Sequence, residues 1–104
     1  MSGGDFVPVL TLYPRKLVVD GVTVADNVFI VPKCGCLMAI LSNGTAISAE
    51  LKHLKEFVIK LIELKLRDIE GLAMINDNYA ELARKYRELI DKVREGKAEI
   101  NFVV

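Results

Sequence analysis

The sequence predicts an α+β domain: an antiparallel β-meander followed by long zipper-like helices and a short C-terminal strand. Three observations carry that prediction. The composition changes near Ser48. Before it Val, Ile, Thr and Gly dominate and the cations are Arg15, Lys16 and Lys33; after it come charged, helix-forming runs. Turn dipeptides punctuate the first half at short intervals. A heptad stripe and then a short alternating tail occupy the end of the chain. The 104 residues form one domain, 1–104, mainly β over 1–47 and mainly helical over 48–95, with a break near 71–78 and a terminal strand over 97–104. Neither half is large enough to stand alone, and the helices must cover a face of the sheet.

Residues 9–13 read as a first strand, ended by Pro14, which belongs at a strand end or edge. Residues 16–19 and 22–25 flank Asp20-Gly21, a type I′ turn signal because both central residues need positive φ. Asp26-Asn27 marks a second turn before a strand over 28–31, which Pro32-Lys33 ends. The next strand spans 36–41 and closes at Asn43-Gly44, another I′ signal, so that 45–47 pair back. Phe29-Ile30-Val31 and Leu37-Met38-Ala39-Ile40-Leu41 are continuously apolar, as in strands covered on both faces. The helices provide one cover. A second subunit, a ligand or the curl of the sheet provides the other.

Ser48 reads as the N-cap of the first helix, with Glu50 in its first turn. The apolar positions of that helix span roughly 220° of the wheel. That is about twice what one sheet face needs, so a second packing partner is expected. From Leu72 the apolar spacing alternates between three and four, through Ile75, Tyr79, Leu82, Tyr86, Leu89 and Val93, in the same register as the first helix. Shared register favours one long or gently kinked helix over a hairpin, with the break nearest Gly71. Asn78 and Glu81 resemble a capping box. Gly96 is placed as the C′ residue, and Ala98, Ile100, Phe102 and Val104 form one side of the final strand.

Composition bounds the function. With 52% hydrophobic and 27% charged residues the chain is globular, not disordered. Zero net charge and a pI near 6.6 argue against binding to duplex DNA, ribosomal RNA or anionic membrane by bulk charge. No apolar run approaches a transmembrane span. The N-terminus lacks a basic stretch and a signal-peptide core, so a cytoplasmic location is expected.

No catalytic signature is present, and no cofactor or metal is expected. Cys34-Gly35-Cys36 falls short of the four ligands of structural zinc, because His53 is the only other soft ligand. It reads as two small residues at a strand start with Gly35 as a bulge. His53 itself lies on the polar strip of the first helix without a nearby nucleophile. The glycines form neither G-x-x-x-x-G-K-[ST] nor G-x-G-x-x-G, which excludes those nucleotide sites. Tyr13-Pro14-Arg15-Lys16 sets an aromatic beside two cations, and Phe29, Pro32 and Lys33 repeat the theme. A base can stack on such an aromatic while the cation meets a phosphate. In the competing reading Phe29 is core and the cations blunt an edge strand.

Two function classes lead, with a small enzyme the least favoured third. One is a sequence-tolerant, oligomeric binder of single-stranded DNA or RNA using Tyr13, Arg15, Lys16, Phe29 and Lys33. The other is a homo-oligomeric interaction or adaptor protein without a nucleic-acid ligand. Both are dimers or tetramers, joined through Leu72, Ile75, Tyr79, Leu82, Tyr86, Leu89 and Val93. A sheet carrying these aromatics and cations, followed by Leu/Tyr heptads, resembles the ThermoDBP-related single-stranded DNA-binding proteins of thermophilic archaea. The resemblance is one of layout over most of the chain and carries no residue-by-residue assignment. It implies an antiparallel sheet, a zipper-like oligomerisation region and an apolar, aromatic cleft edged by basic residues. The dense Lys/Glu/Arg surface and aliphatic core suit a thermophile.

Overall fold

The computed structural model describes residues 13–103, and the strand expected over 9–13 lies outside them except for Tyr13. Five strands, β1 (Arg15–Val19), β2 (Val22–Val31), β3 (Cys36–Ile40), β4 (Ala46–Glu50) and β5 (Ile100–Val103), form one antiparallel sheet in the order β4-β3-β2-β1-β5. A 3₁₀ turn (Leu51–His53) leads into α1 (Leu54–Ala73), and α2 (Asn78–Arg94) follows. The architecture is α+β, as the sequence predicts. β-branched residues predominate in β2, and burial in β1 alternates as a half-covered strand requires: Leu17 and Val19 are buried, with Val18 between them less so. Asp20 and Gly21 both have positive φ, at 48° and 79°, as the I′ turn demands.

Four local readings need correction. Asp26-Asn27 is not a turn, because β2 runs unbroken for 10 residues. Arg15 pairs with Val28 and Leu17 with Ala25, so β2 carries an extra residue there and both polar side chains are exposed at a bulge. At Asn43-Gly44 only Gly44 has positive φ. The Gly44 amide donates to the Leu41 carbonyl at 2.9 Å and the Leu41 amide to Thr45 at 2.8 Å, which makes a three-residue hairpin loop. Gly35 is not a bulge; it lies in the β2–β3 turn. Ser48 is no N-cap: it pairs with Met38 inside β4, whose alternation turns Ile47 and Ala49 inward. Pairing with β3 continues to Glu50, so the helix begins at Leu54.

The helices form an antiparallel hairpin, not one long helix. Arg87 pairs with Glu70 at 2.8 Å and Arg94 with Glu63 at 3.8 Å, so positions rising along α1 meet positions falling along α2. Lys55 Nζ also donates to the Arg94 carbonyl, at 3.1 Å. Gly71 does not break α1, which continues to Ala73. An exposed helical Gly costs about 1 kcal/mol relative to Ala, less than the packing of the turns around it. The reversal falls at residues 74–77. There the Asn76 side chain accepts the Asn78 amide at 3.0 Å, replacing the expected capping box. Gly96 ends α2 as expected. With φ at 73° it donates to Val93 at 3.1 Å, and Lys97 donates to Lys92 at 2.9 Å, a Schellman arrangement.

Hairpin packing explains the wide apolar arc of α1. Phe57, Val58, Leu61, Ile62, Leu66 and Ile69 are buried between the sheet and α2, so the second packing partner of α1 is α2 of the same chain. Ala83, Tyr86, Leu89, Ile90 and Val93 complete the core from α2. Among the described residues no helix is long and apolar enough to cross a membrane.

Candidate nucleic-acid interface

Cross-strand register separates the two faces of the sheet. Leu17, Val19, Val28, Leu37 and Ala39 lie on the helix side and are fully buried. Directly opposed residues share a face. On the other face Phe29 therefore opposes Met38, Val31 opposes Cys36, Val18 opposes Thr23 and Lys16 opposes Val103. Ile40, paired with Ala46, extends the patch to the far end of β3. Neither helix covers this face, yet it is apolar at its centre. The paired cover that the continuous apolar strands call for is absent among the described elements.

The register also gathers the residues singled out in the sequence. The start of β1, the end of β2 and the start of β3 lie at one end of the sheet, because Arg15 opposes Val28 and Val31 opposes Cys36. Tyr13 (67% exposed), Arg15, Phe29 and Lys33 therefore belong to that end, and Lys16 lies next to it along β1. They do not all share one face. Lys16 and Phe29 are on the helix-free side, whereas Arg15 falls in the row of Val28 and Leu17. No ion pair with a described residue engages Arg15, Lys16 or Lys33. Glu50, at the end of the row that Val31 and Cys36 begin, pairs with Lys52 at 3.5 Å. Several helical cations, by contrast, are paired: Lys92 with Asp20 of the β1–β2 turn, Arg94 with Asp91 and Glu63, Arg84 with Glu81.

The stripe expected to form an oligomer seam divides in two. Tyr86, Leu89 and Val93 are buried in the chain's own core. Tyr79 is half-buried, while Leu72, Ile75 and Leu82 remain exposed around the turn of the helical hairpin, Ile75 at 86%. Met74, which the heptad count skips, is 90% exposed beside them. Burial raises the Tyr86 pKa above the usual 10.0. His53 is exposed in the 3₁₀ turn.

Two features escaped the sequence reading. A cleft of about 450 Å³ opens between α1 and the sheet, lined by Asp26, Asn27, Asn43, Lys65 and Arg67 among others, and none of the expected site residues borders it. The polar pair Asp26-Asn27 was its signal, once read as a bulge. Cys34 and Cys36 are joined by a disulfide, with Cα atoms 5.3 Å apart. Among the described residues no cluster of three or more His, Cys, Asp or Glu side chains is arranged to hold a metal ion. Comparison with protein-family models, curated proteins and solved structures finds no match to the chain.

Proposed function

We propose that this chain binds single-stranded nucleic acid, without sequence preference, on the helix-free face of its sheet. The observation that carries the reading is the Phe29–Met38 pair at the centre of an apolar sheet face, with Lys16 on the same face and Lys33 and Tyr13 at its end. Bases stack against the aromatic and apolar side chains, and the lysines meet phosphates. Stacking contributes about 1–3 kcal/mol per base, so a few such contacts suffice without net positive charge. A duplex binds poorly, because its bases are not free to stack.

Fluorescence anisotropy with a labelled oligonucleotide of about 20 residues tests this, single-stranded and duplex, at low and moderate salt. Binding of the single strand alone is expected, with a shallow salt slope of about −1.4 for the two lysine–phosphate contacts. Phe29→Ala is expected to weaken it by about 1–3 kcal/mol. Absence of binding at micromolar protein removes the reading.

The competing reading, a homo-oligomeric interaction protein, draws on a separate observation: Leu72, Met74, Ile75 and Leu82 are exposed together at the hairpin turn. Self-association by itself is compatible with the first reading, since an oligomer joined through the hairpins leaves the sheet faces open; the two readings part at whether nucleic acid binds at all.

A further inference from the structure

We propose that Cys34 and Cys36 form a reversible dithiol–disulfide site that exchanges with low-molecular-weight thiols. The bond closes a ring through Gly35 alone, in the turn between β2 and β3. Gly35 has φ at 63°, a conformation that a side chain at this position would oppose. The short loop makes the bond a poor structural staple, because the chain entropy removed from the unfolded state shrinks with loop length. Access points the same way. Cys34 is exposed and Cys36 half-buried, so a thiolate can approach the Cys34 sulfur without the fold opening. Lys33 adds positive charge next to the attacked residue, which favours an anionic thiol such as glutathione.

In the reductive direction the thiolate attacks Cys34 Sγ. The Cys34–Cys36 bond breaks, and Cys36 leaves as a thiolate that takes up a proton. A second thiolate attacks the small thiol's sulfur in the mixed disulfide, forming the small-molecule disulfide and releasing Cys34 as a thiolate, which is protonated in turn. Two small thiols are oxidised to one disulfide as the protein disulfide is reduced to two thiols. Oxidation is the reverse, with glutathione disulfide as oxidant.

The turn is linked to the end of β4. The Leu51 amide donates to the Gly35 carbonyl at 2.7 Å, and Cys36 opposes Glu50. The redox state of the turn is thus felt where the chain leaves β4 for the helices.

The test equilibrates the native full-length protein in buffers of graded glutathione to glutathione-disulfide ratio. Samples are acid-quenched, alkylated with N-ethylmaleimide and weighed intact. The expected result is a reversible passage from no label to two labels per chain, with no stable singly labelled species and no dimer on a non-reducing gel. Cys34→Ser and Cys36→Ser should each give a glutathione adduct at the oxidising end instead. Two labels at every ratio would overturn the proposal, since the bond then never forms. So would zero labels in excess glutathione until denaturant is added, since the bond is then a static crosslink. Stable glutathione adducts on the unsubstituted protein would overturn it equally.

Discussion

Asp20 ties three elements together from one position. Its backbone adopts φ at 48°, its amide donates to the Glu99 carbonyl at 2.9 Å, its carboxylate accepts the Glu99 amide at 2.8 Å, and Lys92 approaches the same carboxylate at 3.5 Å. Asp and Asn tolerate the left-handed region better than Ala does. Asp20→Ala is therefore expected to destabilise the protein by about 1–3 kcal/mol, through backbone strain and a lost hydrogen bond. Asp20→Asn, which keeps the conformation and an acceptor, should lose about half of that or less. Equal losses in urea titrations of the two variants would contradict this account. The turn was legible from Asp20-Gly21. The partner 79 residues away was not, because it depends on where β5 docks.

Among the elements, the helical hairpin shows what periodicity can and cannot decide. Tyr86, Leu89 and Val93, expected from their spacing at an oligomer seam, are buried against α1 of the same chain. A heptad pattern reports that a face needs cover, not which chain supplies it. Ser48 illustrates a second limit. Its cap preference is real, but pairing with Met38 competes and wins. Tyr86 provides a test of the hairpin. Burial raises its pKa above 10.0, so as pH climbs past about 10 the unfolded state loses the phenolic proton before the folded state does. Its contribution is full below that pH and is lost as pH rises toward the folded value. Tyr86→Phe should flatten the alkaline fall in the urea midpoint. An unchanged slope would mean that the ring is not buried in the seam. At the end of α2, Gly96→Ala should cost about 1 kcal/mol, because the C′ position requires the left-handed conformation. Thermal melts of the two proteins measure it.

For the whole molecule, α+β architecture and the order of its parts were legible because composition, turn dipeptides and helical spacing agreed with one another. The two sheet faces were not separable in sequence. A strand such as Phe29-Ile30-Val31 is apolar on both sides, and only the register with Met38, Leu37 and Cys36 assigns each side chain to a face. That register leaves one apolar face without a helix, and the hairpin turn with Leu72, Met74, Ile75 and Leu82 exposed. We expect self-association through the hairpin turn. Ile75→Glu combined with Leu82→Glu should place charge in that contact and lower the sedimentation coefficient toward that of an 11.6 kDa monomer. A parent protein that is already monomeric at micromolar concentration would contradict the expectation.

The most direct measurement of the central claim is residue-resolved mapping of the bound face by amide chemical-shift perturbation, titrating the protein with a short oligothymidylate. Lys16, Val18, Phe29, Val31 and Met38 are expected to shift together and saturate with one affinity, while Glu81, Glu88 and Asp91 on the outer surface of α2 stay in place. Perturbations confined to α2 or to the Asp26–Lys65 cleft, or no perturbation at all, would contradict it.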